Sequence, residues 1–386
     1  MAESSKDMKD AVPPPSASPR LSPHPVLDAP KVDMGDDAPS FSVSLISSYV
    51  LTKIFKLYSA RKNATVAPST VGAGVFSVLF LLPKVLAYYR TRQRRAVLRE
   101  LAKEKVVKVK ERNARVVTIL KLDGLRPPKE SDIIHMSATT LLAKMRSKEL
   151  TCREIITAFC ARAAGIQEIL NCGTEFCFIE ALQAADMVDA WRNDSNNKGV
   201  EEPPMLGLPV SIKDLFHQEG YDTTCGCPAF LFSPAEKDGK YLQIIHEQGA
   251  IPFIRSNVPQ AMMVPETDNN VFGRSFNPHN FGRTVGGSSG GEGGLIAAHA
   301  SPLGIGTDIG GSIRIPAHFC GICGLKPTST RLTKLGMRAP RYNGQNGQLA
   351  IRSTSGPMAR SVDDIVLYTR AMLEPRKGRM MWSHDP

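Results

Sequence analysis

Two short apolar runs, 208-LPVSIKD-214 and 250-AIPFIRS-256, constrain this chain most. Each has the length of a strand, each stops at charged or polar residues, and the segment between them is long enough for a helix. Strands that alternate with helices build an α/β sheet, whose loops at the strand ends hold ligands. Two helices are readable upstream. At 151-TCREIITAFCARA-163, Thr151 and Glu154 form a capping box ahead of the apolar Ile155, Ile156, Phe159 and Cys160. A second helix covers 178-FIEALQAADMVDAW-191. At 386 residues the chain can bury one large core or two ordinary ones, and no repeat of fixed period divides it.

The N-terminal third reads differently. Residues 1–63 include 11-AVPPPSASPRLSPHPV-26, which cannot bury a core, and 41-FSVSLISSYVL-51, which is too short to span a bilayer. This region is expected to be disordered or peripheral to a membrane. Then 64-ATVAPSTVGAGVFSVLFLLP-83 runs for 20 residues without a charge, about the length a helix needs to cross the hydrocarbon. Lys84 ends it, and Arg90, Arg92, Arg94 and Arg95 follow, which places the downstream part in the cytosol. The expectation is a membrane anchor over 64–89, single-pass or monotopic, followed by a basic helical connector over 90–131. An interfacial or core helix is the alternative, because Pro68, two glycines and several hydroxyls dilute the hydrophobicity.

Charge supports a membrane surface over nucleic acid. Between Leu51 and Arg115 lie 16 Lys/Arg and 3 Glu, more than enough to supply the net charge of +11. The excess sits beside an apolar run and lacks interleaved aromatics, so an anionic bilayer fits it better than a polynucleotide. The eight cysteines form no paired CxxC framework. In 319-FCGIC-323 the neighbours are apolar and small, so buried thiols are expected there, and free cysteines suit a reducing compartment. His217, His279, His299 and His318 have no metal-ligand spacing, so neither a metal nor an organic cofactor is expected.

Chemistry concentrates around the glycines. The stretch 286-GGSSGGEGG-294 and the run 304-GIGTDIGGSIRIPA-317 contain no G-x-x-x-x-G-K-[ST], so they are not a phosphate cradle. After Gly304 and Gly306 the third glycine of a dinucleotide fingerprint is replaced by Ile309. The pentad 287-GSSGG-291 matches G-x-S-x-G, which would make Ser289 the nucleophile of a hydrolase elbow. That elbow needs an apolar strand before it, and 279-HNFGRTVG-286 is polar and broken by glycine. A backbone with consecutive N–H groups at 309-IGGS-312 suits an oxyanion hole.

The run 286-GGSSGGEGGLIAAHASPLGIGTDIGGSIRIPAHFCGICGLKPT-328, with 207-GLPVSIKD-214 and 356-GPMARSVDDI-365, resembles the amidase signature family and within it the fatty acid amide hydrolases. The resemblance runs from about Ser137 to Leu373. It implies an α/β amidase signature fold, a mixed twisted sheet flanked by helices, over 132–373, here with an N-terminal membrane helix and a polar tail at 374–386. It also implies a Lys–Ser–Ser arrangement: Ser312 as nucleophile, Ser288 as relay after a cis peptide bond, and Lys213 as base. Ile309, Gly310, Gly311 and Met262 would bind the oxyanion and substrate, with Ser289, Thr307, Asp308 and Arg314 ordering the site. The chemistry fits those residue types, since a serine hydroxyl needs a base and lysine serves as one only when burial keeps it neutral.

The resulting expectation is a serine amidohydrolase acting on lipophilic fatty acyl amides through an acyl-enzyme. Its partners would be a small lipophilic amide and membrane lipid, not nucleic acid, with a homodimer among the expected assemblies. The family's domain continues past the helix that Ser361 caps, whereas here the chain stops at 374-EPRKGRMMWSHDP-386. A truncated, non-catalytic membrane protein is therefore the alternative, as is an amidotransferase subunit of the same family.

Overall fold

The computed structural model describes residues 68–122, 130–338 and 351–373. Its first element, α1 (Pro68–Leu122), is a single helix of 55 residues. From Leu101 onward the described chain forms one compact unit, while residues 28–100 are assigned to another. After α1 come α2 (Glu130–His135), α3 (Ala138–Arg146), α4 (Cys152–Leu170), β1 (Gly173–Phe176), α5 (Phe178–Asn193) and β2 (Pro209–Lys213). Then follow α6 (Lys240–Glu247), β3 (Ile251–Ser256), α7 (Gly290–Ala297), β4 (Leu303–Asp308), α8 (Arg314–Cys320), β5 (Cys323–Gly324), β6 (Thr354–Ala359) and α9 (Val362–Leu373).

The six strands form one sheet in the order β1-β3-β2-β4-β6-β5. The central β3, β2 and β4 are parallel, and β1, β6 and β5 are added antiparallel, so the sheet is mixed as expected. Helices flank it: α5 packs on β3, α7 on β2, β3 and β4, and α9 on β6. The two apolar runs became β2 and β3, and every residue of both is buried because each strand has neighbours on both sides. Helix α4 starts where the capping box places it, with Thr151 Oγ1 accepting from Glu154 N and the Glu154 carboxylate accepting from Thr151 N. The core runs from Ile133 through α4, α5 and the sheet to Met372.

The membrane anchor expected over 64–89 finds no support. Among the described residues no helix is long and apolar enough to cross a membrane. Within α1 the uncharged run spans only 68–83, interrupted by Pro68, Ser69, Thr70, Gly72, Gly74 and Ser77, and a span needs about 20 predominantly apolar residues. The helix continues without a break into the basic stretch. The N-terminal region 1–63 and the tail 374–386 lie outside the described residues.

Candidate active site

The parallel order brings the carboxyl ends of β2 and β4 to one edge of the sheet. Lys213 is the last residue of β2 and Asp308 the last of β4, and the loop 309–313 follows directly. Side chains alternate along a strand, so Ser211 and Lys213 share a face of β2, on the side covered by α7.

Lys213 is completely buried, and its Nζ donates to Ser288 Oγ at 2.8 Å and Thr307 Oγ1 at 3.0 Å. Burial pushes the amine down to about 7, against the opposing pull of Cys225, Glu292 and Asp308. An ordinary lysine is charged at neutral pH; this one is poised to accept a proton. Ser288, itself 2% exposed, follows a cis peptide bond from Gly287.

The second serine of the pair has a different role. Ser289 Oγ donates to Thr307 O and accepts from Thr307 N, both at 3.2 Å, while its backbone N donates to Ser312 O at 3.1 Å. It therefore bolts the Ser288 segment to β4 and to the loop of Ser312, leaving its hydroxyl committed. The elbow that would make it a nucleophile is absent, since an irregular segment, not a strand, precedes it.

Ser312 sits half-buried in the loop between β4 and α8. Asp308 organises that loop: its carboxylate accepts from Gly311 N at 2.7 Å, Ile313 N at 3.2 Å and the Arg314 guanidinium at 3.0 and 3.1 Å. Burial works against its ionisation, yet Arg314 and these N–H groups hold its carboxyl below the usual range. The donor at Gly311 is thus occupied, which removes it from the expected oxyanion hole. Gly311 is glycine for another reason: its φ is +120°, and a Cβ would lie 2.7 Å from Ile315 Cδ1. Among the described residues the N–H groups of Ile309, Gly310 and Ser312 donate to no protein acceptor, and a Cβ on Gly310 would meet nothing within 4 Å. Those three are the donors open to an oxyanion.

Met262 stands on a turn at φ 59°, half-buried, tied by the neighbouring Ala261 N to Cys225 O at 2.9 Å. It thereby belongs to the loop beside Lys213. No hydrogen bond joins Ser312 Oγ to Ser288 Oγ among the described residues; the two are linked through the Ser289 backbone. Catalytic hydrogen bonds are often long before substrate arrives.

Sequence reasoning missed two buried groups. Arg255 on β3 pairs with Asp214 at 2.7 Å and also donates to Phe216 O, which fixes the turn just after Lys213. Glu292, on the first turn of α7, is fully buried beside Ser211. No sequence signal marks it as buried; although Ser289-x-x-Glu292 has the spacing of a capping box, none forms. Ser289 makes no side-chain cap, and the carboxyl turns inward. Among the described residues no group of His, Cys, Asp or Glu side chains is arranged to hold a metal ion.

Fold and site together define an α/β protein with a buried lysine–serine couple at its strand ends and a glycine loop that carries a second serine. The family model described as Amidase matches residues 154–385, and the chain belongs to that family. It is 37% identical over 271 residues to an acetamidase of Emericella nidulans, covering 70% of this chain and 47% of that protein. It is 39% identical over 244 residues to fatty-acid amide hydrolase 1 of Sus scrofa, covering 62% and 39%. Among solved structures, a fatty acid amide hydrolase superposes with a TM-score of 0.61 at 31% identity, covering 72% of this chain and 50% of that one. The chain spans about half the length of the curated relatives it matches.

Proposed function

We propose that this chain carries the nucleophile, relay and base of a serine amidohydrolase that cleaves the carbon–nitrogen bond of linear amides. The observation that carries it is the buried Lys213, near-neutral and in contact with Ser288, below the loop of Ser312. Ser312 Oγ attacks the amide carbonyl as its proton passes to Ser288, whose own proton goes to Lys213. The oxyanion forms against the N–H groups of Ile309, Gly310 and Ser312, a kind of stabilisation worth ~3–4 kcal/mol per donor. The same path returns the proton to the leaving nitrogen, and water then releases the acid.

The test is labelling of the purified chain by a fluorophosphonate, with loss of the adduct in Ser312→Ala. A folded protein that takes no label, or one labelled at Ser289, overturns the assignment. For the substrate we favour long-chain acyl amides, on the motif resemblance and the identity to fatty-acid amide hydrolase 1. Similarity to an acetamidase supports small amides as the second reading. Comparing hydrolysis of an oleoyl amide with that of acetamide decides between them: turnover of acetamide alone rules out the first.

Association with a lipid surface belongs to the same proposal. Arg90, Arg92, Arg94 and Arg95 are all exposed on α1, where each basic residue near an anionic bilayer contributes about 1 kcal/mol. Co-sedimentation with phosphatidylserine vesicles, abolished by salt and absent with phosphatidylcholine alone, is the expected result.

A further inference from the structure

The buried carboxyl of Glu292 has no part in the relay just described, yet the structure is shaped around it. It lies four positions after Ser288, and the first turn of α7 aims it at the sheet between β2 and β4. Ser211 Oγ donates a hydrogen bond to its Oε2, and Ser211 lies two residues before Lys213 on the same face of β2. Directly across from Ser211 on β4 stands Gly304, where a Cβ would come within 2.0 Å of that carboxyl oxygen. A strand position is thus kept empty to admit the carboxyl. Its Oε1 is buried without a hydrogen-bond partner. Ser256, opposite Lys213 in the β3 register, also acts on the carboxyl and opposes the upward push of burial.

We propose that Glu292 is a positioning residue for the lysine base: its carboxylate holds the ammonium that forms on Lys213 when the proton leaves Ser312. This rests on the amidohydrolase assignment. In the attack step the Ser312 O–H bond breaks as the Oγ–carbon bond forms, and the neutral amine becomes an ammonium while the carbonyl oxygen becomes an oxyanion. The oxyanion has its N–H donors, and the ammonium needs a counter-charge of its own. The charged and titratable groups around Lys213 are the Cys225 thiol, Glu292 and Asp308. Burial pushes Cys225 up, so it stays a neutral thiol, and Asp308 is already bound to Arg314 and the nucleophile loop. Glu292 is free of such a partner; Lys213 is the cation acting on it, with the Cys172 thiol the further titratable group near it.

Both members titrate in the same range. Burial pushes Glu292 up to about 7 and Lys213 down to about 7. Above that range the carboxyl is charged and the amine neutral, which is the state ready to receive the relayed proton and end with opposite charges on the two groups.

The experiment follows the fluorophosphonate labelling rate of the full chain against pH. In wild type the rate rises through neutrality as Lys213 loses its proton. In Glu292→Gln the lysine loses its counter-charge, so this limb moves about one pH unit lower, the low end of what a nearby opposite charge does. The plateau rate falls about tenfold, the equivalent of one pKa unit. Glu292→Asp, which keeps the charge, holds the limb at the wild-type position. A folded Glu292→Gln protein whose limb stays in place overturns the proposal, because a packing role alone predicts slower labelling without a shift. Where Glu292→Gln does not fold, infrared titration of the buried carboxyl in Lys213→Met reads the same coupling. The midpoint must rise when the amine is removed, and an unchanged midpoint overturns the proposal. If wild type takes no label at any pH, the amidohydrolase assignment fails, and the infrared comparison still decides the Glu292–Lys213 coupling.

Discussion

Lys213 acts by being in a place where a lysine is normally not charged. Its Nζ has two hydroxyl partners, Ser288 and Thr307, and neither stabilises an ammonium as a carboxylate would. That balance makes a sharp prediction at the scale of one side chain. Lys213→Met should lower fluorophosphonate labelling by about 10²–10⁴-fold, the usual worth of a general base, and remove the acid limb near pH 7. Lys213→Arg should lose as much, although it preserves positive charge, since a guanidinium does not give up its proton. Labelling of the arginine variant at the wild-type rate would make Lys213 an electrostatic group and not a base. The contact of Lys213 with Ser288 was legible, because their residue types and spacing are those of the amidase signature. Glu292 was not, since nothing in the residues beside it says that its carboxyl is buried against β2. Nor was the occupation of Gly311 N by Asp308, which depends on how the loop folds back on the end of β4.

At the scale of elements, α7 is the instructive case. Glycine costs a helix about 1 kcal/mol per residue relative to alanine, and four of the eight residues in α7 are glycine. Propensity therefore argues against a helix, and sequence reasoning placed none there. Packing overrides it. A Cβ on Gly291 would stand 2.4 Å from Asn257 N and 2.5 Å from Asn257 O, and one on Gly290 would stand 2.1 Å from Thr267 Oγ1. The helix lies so close to the segment after β3 that side chains do not fit, and this closeness delivers Ser288 to Lys213 at the end of β2, Ser289 to Thr307 near the end of β4, and Glu292 to Ser211 in the middle of β2. Gly291→Ala should destabilise the protein by ~1–3 kcal/mol in urea unfolding despite alanine's better helix propensity, because the clash is with backbone that cannot rotate away. A stabilised variant would mean that the contact with Asn257 is looser than described. By contrast β2, β3, α4 and α5 were legible, since their apolar spacing and the Thr151 cap agree with their burial.

At the scale of the whole molecule, the basic charge read as a membrane signal has a second destination. Lys105, only 2% exposed, pairs with Glu175 at 2.5 Å and Asp222 at 3.0 Å, and Arg112 stacks over the Tyr221 ring at 4.4 Å. Asn113 closes the edge of the sheet, its amide donating to Thr174 O and accepting from Phe176 N, both on the outermost strand β1. The part of α1 from Leu101 onward is therefore built into the same compact unit as the sheet, and a chain begun at Val116 should not retain a folded domain. Lys105→Met in the full chain isolates the cause. Removing one partner of a buried pair leaves the other charge uncompensated, so the expected loss is about 3–5 kcal/mol at pH 7. The pH dependence gives the sign. Burial raises the Glu175 carboxyl, but Lys105 and Arg112 outweigh it and hold it below 4.5, so its stabilising contribution is present above that pH and lost as pH falls through the folded value. In Lys105→Met burial is less opposed and the carboxyl moves up, so protonation relieves the variant at a higher pH than wild type. The gap in unfolding free energy between the two proteins should accordingly narrow from pH 7 toward pH 4. A gap that is constant over that range would assign the loss to packing of the lysine stem and not to its charge.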